Sequence, residues 1–184
     1  MLEIEVKCPV ADFEAVRCRL QEWGARADPP RQEADHYFNA PDRDFAKTDE
    51  ALRLRRIGTH NWVTYKGPKR DQQTKTRAEI EIPLGDGDQN AEDLARILRH
   101  LGYRDVAVVQ KQRTLYHCEK EGYALEITLD EVQGLGRFIE VEIRAGEKDL
   151  TPARECLLRT TQELGLKETE RRSYLELLLA KTSS

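Results

Sequence analysis

The chain has 184 residues, of which 39% are hydrophobic and 35% are charged, and its formal net charge is −4. This length suits one domain, and the periodic placement of the apolar residues excludes a disordered chain. Apolar runs such as Leu177–Ala180 are far too short to span a membrane, and the negative net charge argues against a general nucleic-acid binder.

The spacing of the cysteines and histidines argues against a disulfide-rich protein and against a zinc-binding protein. The four cysteines, Cys8, Cys18, Cys118 and Cys156, form no Cys-x-x-Cys pair, and the chain is too poor in cysteine for a disulfide scaffold. We therefore expect reduced thiols, a cytoplasmic location and no zinc site of the usual ligand spacing. The first residues show no basic leader followed by an apolar stretch, so a signal peptide is not predicted.

Hydrophobic periodicity divides the chain into helices and strands. The first half of the chain predicts a strand at 2–7, a helix at 11–23 and strands at 52–55, 62–66 and 79–82. A helix follows, with Asn90 as its N-cap and its end before Gly102, and then strands at 108–116, 125–130 and 139–143. The last two elements are a helix with Thr151 as N-cap and Pro152 at its first position, and a short helix at 173–181. Short turns between successive strands imply antiparallel pairing, and this order of elements is typical of an α+β fold.

The predicted strands carry apolar residues on one face and charged residues on the other, because successive side chains point to opposite faces. The carboxylates of the charged face are Glu3, Glu5, Glu79, Glu81, Glu126, Asp130, Glu140 and Glu142, and the cations are Arg53, Arg55, Lys66, Lys75, Arg77, Lys111 and Arg113. The two signs are therefore segregated between strands. Like charges two residues apart on a strand, about 7 Å from each other, repel by roughly 2 kcal/mol at an effective dielectric near 20.

This pattern has two interpretations. A half-exposed sheet keeps its charged face in water, which is the ordinary arrangement for a single strand. If the strands close into a barrel, the enclosed carboxylates need a hard cation such as Mg²⁺ or Mn²⁺, and the enclosed cations need a polyanion. A metal together with a triphosphate satisfies both sets, while apolar-faced helices cover the outside of the barrel. The chain contains no P-loop, dinucleotide-binding or nucleophile-elbow motif.

A series of motifs along nearly the whole chain resembles one known family. The motifs are Glu3–Lys7 (Glu-x-Glu-x-Lys), Asp42–Arg55, Thr64–Lys69, Lys75–Arg77, Lys111–Arg113, Leu129–Gly136, Phe138–Glu142 and Arg172–Leu178. On these motifs the chain is similar to the CYTH superfamily, the triphosphate tunnel metalloenzymes. The similarity is strongest to the CyaB-like branch, the class IV adenylyl cyclases and their prokaryotic relatives.

The resemblance implies a closed eight-stranded antiparallel β-barrel with helices packed on its outside, formed by a single CYTH-type domain at 1–184. It also implies Mg²⁺ or Mn²⁺ and a triphosphate substrate. The implied metal ligands, or their immediate neighbours, are Glu3, Glu5, Glu140 and Glu142. The implied phosphate-binding residues are Lys7, Arg53, Arg55, Lys66, Arg77, Lys111, Arg113 and Arg172, and the implied catalytic residues are Lys7, Asp130 and Arg113.

Two reactions suit such a site. In a cyclase, the 3′-hydroxyl of ATP attacks the α-phosphorus and pyrophosphate leaves, whereas in a triphosphatase water attacks a terminal phosphorus. We expect the cyclase reaction first, with hydrolysis of thiamine triphosphate or inorganic triphosphate as the alternative and a non-catalytic nucleotide- or polyphosphate-binding module as a third reading. Lys7, crowded by other cations, is a hypothetical general base. No sequence feature shows how adenine would be held.

Two further hypotheses concern an apolar segment and one carboxylate. The apolar C-terminal residues motivate the hypothesis of a homodimer; they are Leu175, Leu177, Leu178 and Leu179. Glu81 has two equally weighted roles, because it either extends the metal-binding carboxylates or pairs with a cross-strand Lys or Arg.

Overall fold

The computed structural model describes residues 2–70, 74 and 76–182. Its strands are β1 (Leu2–Val10), β2 (Arg26–Ala27), β3 (Arg31–Asn39), β4 (Ala51–Ile57), β5 (His60–Lys66), β6 (Arg77–Asp86), β7 (Arg104–Lys120), β8 (Tyr123–Val132) and β9 (Gly136–Ala145). Its helices are α1 (Glu14–Glu22), α2 (Phe45–Thr48), α3 (Asp88–His100), α4 (Leu150–Glu163) and α5 (Tyr174–Thr182). A 3₁₀ turn at Glu147–Asp149 leads into α4. Lys75, predicted to be one of the strand cations, lies outside the described residues.

Eight of the strands close into an antiparallel barrel in the order β3, β4, β5, β6, β1, β9, β8, β7. Closure depends on β7, whose 17 residues pair with β3 over 104–113 and with β8 over 111–120. The two-residue strand β2 pairs with β7 beyond the end of β3. The predicted fold, a closed eight-stranded barrel with helices on its outside, is confirmed.

The largest hydrophobic core lies outside the barrel, between its outer face and two helices. Ile4 and Val6 of β1 join Leu20 of α1 and Leu157 of α4 in one buried cluster. A fully buried aliphatic side chain of this kind contributes about 1.5–3 kcal/mol. Apolar burial therefore stabilises the barrel from its outside, and the alternate residues of each strand are left to fill the interior with polar and charged groups.

Three helix starts differ from the sequence prediction. α1 begins at Glu14, three residues later than predicted. α3 begins at Asp88, so Asn90 is not its N-cap, and the Asn90 side-chain amide instead donates to the carbonyl of Asp86 at 2.7 Å. α4 begins at Leu150, because the preceding 3₁₀ turn already directs the chain into the helix, and the predicted cap lies within the first turn.

Strand β3 was not predicted from its own pattern. Its inward residues Glu33, Asp35 and Tyr37 are buried in the barrel, whereas His36 and Phe38 face outward. Because both faces of this strand carry polar groups, it lacks the alternation of apolar and polar residues that marks the other strands. An eighth strand was expected only from the family resemblance.

Helix α5 lies over the end of the barrel where β8 ends and β9 begins. Its leucines pack against side chains of four barrel strands: Leu175, Leu177 and Leu178 against Tyr37, Val109, Val132 and Phe138. Three of the four leucines that motivated the homodimer hypothesis are thus partly buried against the chain's own barrel, and the homodimer stays an untested prediction. In the described part of the chain, no helix combines the length and the apolar character needed to cross a membrane.

Candidate active site in the charged tunnel

Inward-facing side chains from all eight barrel strands line a tunnel cavity of about 460 Å³. Its cationic strand residues are Arg31, Arg53, Arg55, Lys66, Arg77, Lys111, Arg113 and Arg144, and its strand carboxylates are Glu3, Glu5, Asp35, Glu79, Glu81, Glu126, Glu140 and Glu142. The four predicted metal ligands therefore surround the same cavity as most of the predicted phosphate-binding residues. The structure brings these residues together, and their roles stay predictions.

Three carboxylates form a row across adjacent strands on one side of the tunnel. Glu142 of β9 lies directly opposite Glu5 of β1 and Glu126 of β8 in the strand register. Burial, together with the negative charge of Glu3, raises the pKa of Glu142 to about 8. Negative charge is therefore crowded at this row, and a bound cation would relieve the crowding.

The donor atoms of this row suit a hard divalent cation, because Mg²⁺ and Mn²⁺ prefer carboxylate oxygens. Glu142 of the row and two neighbouring carboxylates are already paired with cations. Glu142 Oε1 lies 3.0 Å from Arg144 Nε, Glu3 Oε1 lies 2.9 Å from Lys66 Nζ, and Glu140 Oε2 lies 2.6 Å from Arg113 Nη2. Over residues 2–70, 74 and 76–182, no three possible ligands are already gathered around one point. The residues fit a divalent metal by their chemistry, and binding would require carboxylate side chains of the row to reorient.

Two buried acids, Glu33 and Asp35, lie among the tunnel cations and were missed by sequence reasoning. Asp35 accepts hydrogen bonds from Arg55 at 2.7 and 2.8 Å and from Lys111 at 2.8 Å. Burial alone would raise the pKa of Asp35, but Arg55 and Lys111 outweigh it and hold that pKa well below its ordinary value. Carboxylates thus lie among the cations of the tunnel. This corrects the expectation that positive and negative side chains are fully segregated between strands.

Two arginines offer donors to a ligand. The buried Nε atoms of Arg53 and Arg77 have no hydrogen-bond partner within the described residues, although both side chains line the cavity. The Nη2 atom of Arg53 donates to Thr64 at 3.1 Å and to Glu81 at 3.3 Å, so the pairing role considered for Glu81 is the one observed. A buried donor without a partner costs about 1–3 kcal/mol. Oxygen atoms of an anionic ligand would satisfy these groups.

Lys7 and Asp130 are buried in the barrel but do not reach the cavity. The Lys7 ammonium donates to the carbonyl of Arg172 and lies 4.1 Å from the ring centre of Tyr174. Asp130 accepts from Arg113 Nε at 2.7 Å and from the Tyr174 hydroxyl at 2.9 Å. Tyr174 of α5 therefore separates both groups from the space that a substrate would occupy. Asp130 shares the inward face of β8 with Glu126 and Thr128 but does not itself line the cavity, and its catalytic role stays a prediction.

Arg172 does not line the tunnel. Its side chain is 56% exposed and donates to Glu170, with Nε 3.0 Å from Oε1. The phosphate-binding role implied for Arg172 is thus not supported by its position, because the segment before α5 directs its backbone carbonyl, rather than its guanidinium, toward the barrel. The sequence motif located the segment correctly but not the direction of this side chain.

A model of the CYTH domain matches residues 1–174, so the chain belongs to the CYTH family. A protein of Methanocaldococcus jannaschii, named as a candidate adenylate cyclase, is 37% identical over 96% of this chain and 98% of its own length. The adenylate cyclase CyaB of Aeromonas hydrophila is 31% identical over 94% of this chain and 86% of its own length. The CYTH family acts on triphosphate substrates and uses divalent metal ions.

Solved structures show the same fold. The PH1819 protein of Pyrococcus horikoshii is 39% identical to this chain and superposes with a TM-score of 0.85. The match covers 97% of this chain and 99% of the PH1819 chain. HpAC1 of Hippeastrum, named as a candidate adenylyl cyclase and described as having a dominant triphosphatase activity, is 17% identical over 98% of this chain and 95% of its own, with a TM-score of 0.69. The likeness to HpAC1 concerns the fold alone.

The residues that sequence analysis missed had weak signals. Glu33, Asp35 and Tyr37 alternate with the period of a strand, but the intervening residues are not a recognisable apolar face. Ser173 and Glu176 form a capping box at the start of α5, with the Glu176 N–H donating to Ser173 Oγ at 3.1 Å and the Ser173 N–H donating to Glu176 Oε2 at 2.5 Å. That spacing identifies the helix start, yet it does not show that α5 would cover the barrel.

Proposed function

We propose that this chain is a divalent-metal-dependent adenylyl cyclase that converts ATP into cyclic AMP and pyrophosphate. The observation that carries the proposal is the pair of buried Nε donors of Arg53 and Arg77, which find no acceptor among the described residues, in one cavity with the row of Glu5, Glu126 and Glu142. A triphosphate would accept from the two Nε donors, and its metal would relieve the crowding of negative charge at the row. The names of the two relatives described above support the cyclase over other reactions of triphosphates.

In this proposal the cations of the tunnel bind phosphate oxygens and orient the substrate. Arg53 and Arg77 use their free Nε donors, and Arg55, Lys111 and Arg113 supply further positive charge around the leaving pyrophosphate. Glu5, Glu126 and Glu142 would hold the metal, which would supply Lewis-acid stabilisation of the charge that develops on the phosphate oxygens.

The cyclase reaction exchanges one bond at the α-phosphorus and releases the proton of the 3′-hydroxyl to solvent. The 3′-oxygen of ATP bonds to the α-phosphorus, and the bond from that phosphorus to the bridging oxygen of pyrophosphate breaks. Lys7 was considered as the base for the hydroxyl proton, but its ammonium is bonded behind Tyr174. We therefore assign Lys7 to anchoring the segment before α5, and we do not assign proton transfer to it.

Hydrolysis of a triphosphate is the second candidate. In this proposal the charged part of the cavity would contact only the phosphates and the metal. The same contacts would therefore support attack by water as well as attack by the ribose hydroxyl. The fold shared with HpAC1, for which a dominant triphosphatase activity is described, keeps this candidate open.

Product analysis tests both candidates. We would incubate the purified protein separately with ATP, thiamine triphosphate and inorganic triphosphate, each with Mg²⁺ or Mn²⁺ and with a chelator, and separate the products. We expect cyclic AMP and pyrophosphate from ATP, no turnover in the chelator, and at least a tenfold loss of kcat/KM for Arg77→Gln. Arg99→Gln, in an exposed ion pair with Asp105, is the matched control.

Each alternative result has a definite meaning. Orthophosphate without cyclic AMP would replace the cyclase by a triphosphatase. Binding of a triphosphate without any turnover would leave the non-catalytic module. An equal loss of activity in Arg77→Gln and Arg99→Gln would contradict the tunnel as the active site.

A further inference from the structure

The outer face of the barrel is covered unevenly by helices. Outward residues of β1, β8 and β9 are buried in one cluster with α1 and α4. In contrast, Ile80 and Ile82 of β6 are 63% and 55% exposed, although they also point outward. Their direction follows from the alternation of the strand, in which Glu79 and Glu81 line the tunnel. One side of the barrel is therefore left with large apolar side chains in contact with water.

Strand register makes these isoleucines part of a wider apolar sheet face. Ile82 lies opposite Val63 of β5, and Val63 lies opposite Leu54 of β4. Leu54 is buried under α3 in one cluster with Ala91 and Ala95. Helix α3 thus covers the β4 side of this face and leaves its β6 side open.

The ion pairs of α3 show which side of the helix borders the open area. Arg99 pairs with Asp105 of β7 at 2.7 Å, and Asp88 lies 4.0 Å from Arg56 of β4. Both partners lie on the side of the helix that is turned away from β6. With 3.6 residues per turn, the side of α3 opposite to Arg99 and Asp88 faces β6. That side carries an apolar stripe of Leu94, Ile97 and Leu101.

The stripe and the exposed face of β6 border one groove. We call it the α3–β6 groove, and its residues are Ile80, Ile82, Leu94, Ile97 and Leu101. Within the described part of the chain, it holds four of the six large apolar side chains that are exposed. In the same part of the chain, β1 pairs with β6 no further than Ala78, so no strand closes the groove at that edge. Such a concentration of exposed apolar area marks an interaction surface.

The charges of α3 favour a second copy of this chain as the occupant. The first half of the helix carries acids and the second half carries arginines: Asp88, Glu92 and Asp93 precede Arg96 and Arg99. Two such helices packed antiparallel place the acidic half of each beside the basic half of the other, and their dipoles also oppose each other. The outward residues of β6 at 78, 80, 82 and 84 are all apolar, so they suit the apolar stripe of a second α3.

We propose that the α3–β6 groove is the contact surface of a homodimer in which the two α3 helices pack antiparallel about a two-fold axis. In this arrangement Leu94 lies beside the partner's Leu101, and each stripe covers Ile80 and Ile82 of the other copy. The interface lies on a different face from the leucines of α5. Dimerisation through this surface does not depend on what the tunnel binds.

Sedimentation velocity over a range of micromolar concentrations tests the contact surface. Ile97→Glu and Ile82→Glu each place a charge in the groove, one from the helix and one from the strand. Leu179→Glu changes an exposed leucine of α5, and Val108→Glu changes an exposed residue of β7, so these two variants are matched controls. Circular dichroism and thermal unfolding verify that each variant is folded.

We expect the unmodified protein to sediment with the mass of two chains. Ile97→Glu and Ile82→Glu should each raise the dissociation constant of the dimer at least tenfold, because a charge at the centre of an apolar contact loses its hydration. Leu179→Glu and Val108→Glu should each change that constant less than twofold.

Disulfide cross-linking tests the direction of the helices. In a Cys18→Ser background, which removes an exposed thiol, we would oxidise Leu94→Cys and Leu101→Cys proteins separately and as a mixture. We expect a cross-linked dimer from the mixture only. About 10 Å along the helix axis separates each introduced cysteine from its own copy in the antiparallel dimer, which is too far for a disulfide.

Three contrary outcomes would overturn the inference and leave the proposed function untouched. The first is an unmodified protein that remains a monomer at every concentration. The second is a dimer that Leu179→Glu dissociates while Ile97→Glu and Ile82→Glu do not, which would place the interface on α5. The third is cross-linking of each cysteine variant with itself but not in the mixture, which would contradict the antiparallel arrangement.

Discussion

Among single residues, Asp35 shows how the tunnel tolerates its own positive charge. Its carboxylate is 1% exposed and lies within 2.8 Å of donors on Arg55 and Lys111, and 3.6 Å from Arg53. Removing one member of a buried ion pair leaves an uncompensated charge in a poorly solvated place. Asp35 therefore compensates positive charge inside the tunnel, and an anionic ligand would compensate the same cations further.

We predict that Asp35→Asn lowers the free energy of unfolding by about 3 kcal/mol at neutral pH, because three buried cations lose the negative charge of this carboxylate. Urea denaturation measures the change. Asp93→Asn, in an exposed pair with Arg96 on α3, is the control and should leave stability nearly unchanged. Equal stability of Asp35→Asn and the unmodified protein would contradict the proposed compensation.

The same residue gives a pH dependence with a definite sign. The pKa of Asp35 is lowered in the folded state, so its stabilisation is fully present above the pKa of an unfolded Asp, about 3.9, and is lost as the pH falls toward the folded-state value. The stability difference between the unmodified protein and Asp35→Asn should stay constant from about pH 5 to 8 and shrink below about pH 4. A difference that grows on acidification would contradict the assignment.

At the scale of elements, α5 covers the barrel through one aromatic side chain. Tyr174 is buried, its ring lies 5.1 Å from that of Phe138, and its hydroxyl donates to Asp130. Burial, reinforced by the charges of Glu140 and Asp130, raises the pKa of Tyr174 well above its ordinary value. The hydroxyl therefore stays a donor over the working pH range, and α5 is held by this contact, by the Lys181 ammonium donating to the carbonyl of Gly134 at 2.6 Å, and by its leucines.

We predict that Tyr174→Phe lowers the free energy of unfolding by about 2 kcal/mol, because a hydrogen bond to a buried carboxylate is lost while the ring remains. Urea denaturation measures the loss, and hydrogen exchange should show reduced protection of α5 in particular. Tyr103→Phe, in the cluster beneath α3, is the matched control. Unchanged protection of α5 would show that its leucines alone hold the helix.

At the scale of the whole molecule, the barrel has apolar residues outside and charges inside. The interior cations are shared among carboxylates: burial opposes ionisation of Lys66, but Glu3 and Glu79 outweigh it and raise the pKa of Lys66 above its ordinary value. A triphosphate bound as proposed would take cations from these carboxylates, and a metal would compensate the carboxylates that are released. Metal and triphosphate should therefore strengthen each other's binding.

We predict that Mn²⁺ and α,β-methylene ATP together raise the thermal unfolding midpoint by more than the sum of their separate shifts, because a ligand that binds only the folded state stabilises it. Differential scanning fluorimetry measures the four conditions. Glu142→Gln should abolish most of the excess shift, whereas Glu155→Gln, at an exposed position on α4, should not. Strictly additive shifts in the unmodified protein would contradict the coupling.

The sequence by itself determined most of the barrel strands, though not β3, and the two kinds of face. Strict alternation at β1, β4, β6, β8 and β9 placed apolar residues on one side and charges on the other, and the ordered motifs identified the CYTH family. A period of two is a local property, so it can be seen without knowing which strands are neighbours. For the same reason all the strand carboxylates that line the tunnel except Asp35, and most of its cations, were found in advance.

Only the tertiary structure decided which charges meet. Asp35 meets Arg55 and Lys111 because β3 lies between β4 and β7, an order set by barrel closure and not by the sequence distance. Tyr174 donates to Asp130, 44 residues earlier in the chain, and Lys7 donates to the carbonyl of Arg172. Through these contacts Lys7 and Asp130 lie behind Tyr174 and do not line the cavity. Pairing between distant residues depends on strand register and helix packing, which no local period encodes.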